Sequence, residues 1–261
     1  MRILSVVEEF IKRSDEFLKN VAEGKNLKEY FVQSNLAILV LSAIYGATMG
    51  TYVGGLQILY SAVKVPMLLL ISLYLAMPTY YVLYTLLGGK RTLGQTLMLL
   101  LSGFTIMSTV LLALVPVNLF FIITTTKSSE TYAFTVLLNI AIFTLGGFFA
   151  LTYFIKGAKI LYRDSSENWQ PAFLLGSIIL MFVGTQLAWV LRPYFNYYPG
   201  FIRPLESNFY TAVLGLIVEF AGITGAFLTV FALIIVGWLL YSALMSGRER
   251  QKTVTLSKAN D

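Results

Sequence analysis

The sequence predicts an all-α fold, a polytopic membrane bundle of six transmembrane helices that follows an N-terminal amphipathic helix. The chain is 57% hydrophobic and only 12% charged, whereas soluble domains carry about 25% charged residues. Its apolar segments are long enough to cross a hydrocarbon core of about 30 Å. The third observation is the distribution of positive charge between those segments.

Connections rich in lysine and arginine alternate with poor ones along the chain. Fifteen of the 19 basic residues lie in the N-terminal segment, the turn after span two, the loop after span four and the C-terminal tail. Because cytoplasmic connections carry the excess of Lys and Arg, we predict six spans with both termini in the cytoplasm. We expect the plasma (inner) membrane of the cell as the location.

Residues 1–33 are predicted as an N-terminal unit with an amphipathic helix over 1–29. Its apolar residues recur at helical steps of three and four: Ile3, Val6, Val7, Phe10, Ile11, Phe17, Leu18 and Val21. Acid-before-base pairs four residues apart support a helix: Glu8 with Lys12, Glu9 with Arg13, and Asp15 with Lys19. The helix is cytoplasmic or interfacial. It lies either on the membrane and the protein's own loops or against a partner protein.

The six spans are predicted within residues 34–246, and residues 247–261 form a flexible polar tail in the cytoplasm. The spans are 36–56, 66–87, a stretch within 93–126, 132–155, 172–191 and a stretch within 209–246. Pro66 suits a first helical turn, whereas Pro78 should kink its helix, and Pro116 should kink or end span three. Asn139 is expected to form an interhelical hydrogen bond rather than to bind a transported solute.

Three glycines, Gly46, Gly50 and Gly54, follow one another at four-residue spacing in the first span. Small residues at this spacing let two membrane helices approach closely. The pattern predicts close packing inside the chain or, alternatively, a seam between copies in a homo-oligomer.

The chain contains no cysteine and no histidine. Disulfides, thiol catalysis, Ser-His-Asp triads and ordinary zinc sites are therefore excluded. The net charge of +6 comes from short loops rather than from one basic face, so we predict no binding of nucleic acid. We also predict no cofactor, no metal site and no catalytic residue.

The stretch 184–210 carries most of the polar and aromatic residues that interrupt the apolar segments. With the next acidic residue it predicts one cluster on the outer side: Gln186, Trp189, Arg192, Arg203, Glu206 and Glu219. Ser207 or Asn208 can cap the sixth helix. Glu219 lies either near mid-membrane or at the outer boundary. The cluster is either an ion-paired structure that holds the outer loop or a polar pocket for an ion, a lipid headgroup or a peptide.

Two motifs in this stretch, GTQLAWVLRPYF and RPLESNFY, resemble those of a group of prokaryotic polytopic membrane proteins. In that group G-T-Q-x-x-W-x-L-R-P-F is followed by R-P-x-E-x-N-F-Y/F. The likeness extends to Lys64-Val65-Pro66 and Leu93-Gly94-Gln95. The resemblance implies a multi-pass membrane fold and no catalytic residue.

These features predict a non-enzymatic integral membrane subunit or scaffold of a membrane-associated complex. We expect the protein to be embedded in the lipid bilayer and to bind protein partners through its N-terminal helix or its outer loop. The alternative is a transporter or channel-like protein for a small solute, ion or lipid that uses the outer Arg/Glu cluster. An intramembrane lipid-modifying enzyme would need an acid/base pair that is not recognisable here.

Overall fold

The computed structural model describes residues 2–86, 91–126, 128–162, 169–192, 201 and 208–219, and these form helices and their connections. The helices are α1 (Arg2–Lys12), α2 (Ser14–Ala22), α3 (Leu27–Gly50), α4 (Leu56–Leu86), α5 (Leu93–Ala113), α6 (Val115–Thr124), α7 (Ser129–Leu161), α8 (Trp169–Leu191) and α9 (Phe209–Glu219). By length and composition, α3, α4, α5, α7 and α8 can each cross a membrane. An all-α fold is therefore confirmed in these residues, with five helices that are long and apolar enough to span a membrane. Most of the sixth predicted span, and the tail, lie outside the described residues.

The chain divides into two compact units, Met1–Ala212 and Val213–Asp261. Helices α1 to α8 belong to the first unit. We call the end at which α3 and α5 begin the proximal end of the bundle, and the opposite end the distal end.

The closest helix pair is α3 with α4, joined by a short turn at the distal end. A Cβ at Gly46 would clash with the carbonyl oxygen of Ser61, and one at Gly50 would lie 2.5 Å from Ile58 Cα. The backbones of the two helices therefore touch, and close packing inside the chain is confirmed for these glycines. Gly54 lies in the turn with φ +86°. Homo-oligomerisation through these glycines stays a prediction, and it would need a surface other than the one that α4 covers.

Helix α4 begins at Leu56, so Pro66 lies inside the helix together with Pro78. The prediction that Pro66 opens the second span is therefore wrong, whereas the internal position of Pro78 is confirmed. Proline is tolerated inside membrane helices because neighbouring groups can take over the freed backbone carbonyl. Because the helix begins earlier than predicted, Lys64 also lies within it.

The third predicted span is interrupted at Leu114, between α5 and α6. The amide of Leu114 donates to the carbonyls of Val110 (3.1 Å) and Leu111 (3.2 Å), which closes α5. Pro116 lies in the first turn of α6, where its missing N–H costs nothing. The predicted break near Pro116 is confirmed.

Buried amides connect three helices near this break. The Tyr45 hydroxyl on α3 donates to Asn139 Oδ1 on α7 at 2.7 Å. Asn139 Nδ2 donates to Asn118 Oδ1 on α6 at 3.2 Å and to the carbonyl of Thr135 at 2.8 Å. Asn139 therefore forms the interhelical hydrogen bonds that were predicted for it.

The N-terminal segment forms two helices, whereas one continuous helix over 1–29 was predicted. The break falls at Arg13, whose φ of −120° and ψ of 35° are not helical. It lets α1 contact α3 and α5 while α2 contacts α5 and α7, a surface that one straight helix would not follow. Gly24, with φ +75°, lies just after α2.

Candidate functional site

Gln186 and Trp189 lie in the last two turns of α8, and Arg192 directly follows the helix with φ +40°. Arg192 is 9% exposed, and its guanidinium carbon lies 4.1 Å from the centroid of the Trp189 ring. A cation above an indole face is stabilised by the electron density of the ring, and more strongly where water is excluded. The structure therefore brings Trp189 and Arg192 together, with Gln186 one turn below and half-buried.

The structure does not place the other three residues of the predicted cluster at this site. Arg203 and Glu206 lie outside the described residues, and Glu219 is the last described residue of α9 and belongs to the second unit. Both the complete cluster and the depth of Glu219 stay predictions. The predicted cap is confirmed for Asn208, whose Oδ1 accepts from the amide of Thr211 at 3.1 Å.

Lys64 is a buried cation that the sequence analysis did not include in the cluster. It is 3% exposed, and its Nζ lies 5.0 Å from the centroid of the Phe201 ring. Phe201 in turn packs edge-on against Tyr60, with ring centroids 5.4 Å apart. The apolar run before Lys64 was the available signal, because it allows the helix to begin before Lys64 and so places this charge inside an apolar helix.

The register of α4 against α8 places Lys64 and Arg192 at the same level. Tyr80 bonds to Ser177, oxygen to oxygen, at 2.7 Å, and a Cβ at Gly184 would lie 3.8 Å from Ser72 Oγ. The two helices are antiparallel, so residue numbers fall along α4 as they rise along α8. Continuing from Tyr80–Ser177 and Ser72–Gly184 by about the same spacing brings Lys64 to the level of Arg192. We call these two residues the distal cation pair.

The proximal end carries a second assembly, in which α1 and α2 are fastened to the bundle. Their buried apolar residues are Phe10, Phe17, Leu18 and Val21. Lys156 on α7 pairs with Asp15 at 2.9 Å and donates to Ser14 Oγ at 2.6 Å. Gln95 Nε2, in the capping box of α5, donates to the carbonyl of Ala22 at 2.7 Å. Contacts from α5 and α7 therefore fix the orientation of α2.

The predicted ion pairs within the N-terminal segment form only in part. Lys12 and Glu8 lie 2.9 Å apart, and the hydrogen bond from Lys12 lowers the pKa of the Glu8 carboxyl. Glu9 instead accepts from the Tyr30 hydroxyl at 2.7 Å. The pairs Glu9–Arg13 and Asp15–Lys19 are not among the ion pairs of the described residues, because tertiary partners on α3 and α7 replace them.

The outward faces of α1 and α2 form what we call the N-terminal platform. Its exposed charged residues are Glu8, Lys12, Arg13, Asp15, Glu16, Lys19 and Glu23. Acidic and basic groups are nearly balanced, so no strong field of one sign results. No group of three or more acidic side chains could hold a metal ion within the described residues.

No protein-family model, curated protein sequence or solved structure matches the chain. The resemblance of its two motifs to a group of prokaryotic membrane proteins therefore stays a prediction.

Proposed function

We propose that the chain is a non-enzymatic integral membrane subunit or scaffold whose N-terminal platform binds a protein partner. One observation carries the proposal. Phe10, Phe17, Leu18 and Val21 of α1 and α2 are buried against the protein's own helices, while the charged face is held outward in a fixed orientation. A preorganised polar face loses little conformational entropy when it binds. The distribution of lysine and arginine supports a cytoplasmic position for this platform. The membrane in which we place the protein is the plasma membrane.

The charge balance of the platform indicates the chemistry of the partner. A polyanion such as nucleic acid is bound by a basic surface and with strong salt dependence, and anionic lipid likewise attracts a basic face. Alternating acidic and basic groups instead suit a protein surface with complementary charges, which give specificity more than raw affinity.

The platform is tested by exchanging two exposed charges while the net charge is kept. Glu16→Lys combined with Lys19→Glu exchanges the negative and positive charges at these two positions and leaves the buried residues of α2 unchanged. In a mild pull-down from native membranes, we expect wild-type protein to retain a stoichiometric partner and the exchange variant to retain at least about tenfold less, because misplaced like charges cost several kcal/mol.

The matched control is the exchange of Lys28→Glu with Glu29→Lys, two exposed charges at the start of α3, outside the platform. It should retain the partner as wild type does. The proposal fails if wild-type protein is always recovered alone, or if the platform exchange retains the partner at the wild-type level.

A further inference from the structure

We propose that a cavity between α1, α5 and α7 binds one acyl chain of a membrane glycerophospholipid, with the Tyr153 hydroxyl donating to the ester carbonyl. The inference is independent of the protein-binding function proposed above. It concerns a site at the proximal end that the sequence analysis did not single out.

The cavity has a volume of about 280 Å³ and an almost entirely apolar wall. Its walls include Phe10 and Ile11 from α1, Ile106 and Val110 from α5, and Phe149 and Tyr153 from α7. Pockets for whole drug-sized ligands span about 300 to 1,000 Å³, so this volume suits part of one acyl chain rather than a large polar solute.

Its rim is open toward the surface of the bundle. Ile11 is 57% exposed and Phe149 is 45% exposed. Since α5 and α7 are both long and apolar enough to cross a membrane, lipid chains would surround the exposed faces of these helices. A chain can therefore enter the cavity sideways from the bilayer, which a water-soluble ligand cannot do.

Tyr153 supplies a polar group that points to an acceptor-bearing ligand. Its side chain is 9% exposed, and its hydroxyl has no hydrogen-bond partner in the structure. Of the other hydroxyls in the wall, Thr109 donates to the carbonyl of Thr105 at 2.8 Å, and Ser14 accepts from Lys156 at 2.6 Å. A buried donor left without an acceptor costs free energy, and a lipid ester carbonyl removes that cost.

The depth of Tyr153 matches that of an ester carbonyl. No charged residue occurs between Glu130 and Lys156, so Lys156 marks the proximal limit of the apolar part of α7. Tyr153 lies three residues before it, about 4.5 Å along the axis, which is the hydrocarbon boundary. Lys156 and the exposed Arg13 beside Ser14 then lie at the level of the lipid phosphate, where long basic side chains are favoured.

The test is native mass spectrometry of the full-length protein in detergent with added 1-palmitoyl-2-oleoyl-phosphatidylglycerol. We expect wild-type protein to retain one lipid molecule at this site. Tyr153→Phe removes only the hydroxyl, and it should weaken retention by about threefold to tenfold, the usual effect of one hydrogen bond. Ile106→Trp places a bulky ring in the cavity and should abolish retention.

Tyr74→Phe is the matched control, because it removes the same hydroxyl from a tyrosine that bonds to Asn35, away from the cavity. It should retain lipid as wild type does. Equal retention by wild type, Tyr153→Phe and Ile106→Trp would overturn the proposal, as would the absence of any retained lipid on the wild-type protein. Because Tyr153→Phe preserves the ring, its result stands even if Ile106→Trp does not fold.

Discussion

Replacing Phe17 with alanine is expected to release α1 and α2 from the bundle. Phe17 is fully buried, and its ring centroid lies 4.2 Å from that of Phe10 and 4.8 Å from that of Tyr30. Truncating a buried phenylalanine typically costs about 3 to 5 kcal/mol, because apolar contact is lost and a cavity remains. Here the lost contacts are those that join α2 to α1 and α3.

Hydrogen exchange of the α1 and α2 amides measures this release directly, because exchange follows the free energy of local opening. A loss of about 3 kcal/mol should speed exchange of these amides by about 100-fold, while the amides in the middle of α5 exchange as before. Phe31→Ala is the control, since Phe31 is 37% exposed at the start of α3. If α2 amides keep their wild-type exchange rates in Phe17→Ala, this packing does not hold the platform.

The N-terminal segment shows how far periodicity alone can carry a prediction. The steps of three and four residues correctly identified Phe10, Phe17, Leu18 and Val21 as buried, whereas Ile11 is 57% exposed. They could not identify what covers them, because an apolar stripe has the same pattern whether it faces lipid, a partner or the protein's own helices. The break at Arg13 was missed for the same reason, since it follows the shape of the surface formed by α3, α5 and α7.

The candidate site was predictable where its residues are close in sequence. Trp189 lies in the last turn of α8 and Arg192 directly follows that helix, and the structure shows the two side chains in contact. Lys64 is distant in sequence, and its place at the level of Arg192 depends on the register between α4 and α8. That register is set by side-chain packing, such as Tyr80 against Ser177, which one sequence does not reveal.

The three glycines at four-residue spacing, Gly46, Gly50 and Gly54, have two different structural roles. Gly46 and Gly50 touch the backbone of α4, whereas Gly54 has open space around it and a positive φ. Spacing predicts only that small residues share a helix face. It does not predict where the helix ends, and α3 ends at Gly50, so Gly54 serves the turn.

Gly46→Ala and Gly147→Ala should therefore change stability in opposite directions, although both replace a helical glycine by alanine. At Gly46 the new Cβ would meet the carbonyl of Ser61. Since a backbone atom cannot rotate away, α3 and α4 must separate, at a cost of about 2 kcal/mol. At Gly147, in α7, nothing lies within 4 Å of the new Cβ, and the better helix propensity of alanine adds up to about 1 kcal/mol.

Unfolding in mixed micelles by titration with sodium dodecyl sulfate compares the two variants with wild type. The midpoint should move to lower detergent fraction for Gly46→Ala and to higher detergent fraction for Gly147→Ala. Gly50→Ala, whose Cβ would lie 2.5 Å from Ile58 Cα, should behave like Gly46→Ala. If the midpoint falls by a similar amount in all three variants, these glycines act through chain flexibility in both α3 and α7 rather than through helix contact. Stable Gly46→Ala and Gly50→Ala variants would show instead that α3 and α4 are not in backbone contact.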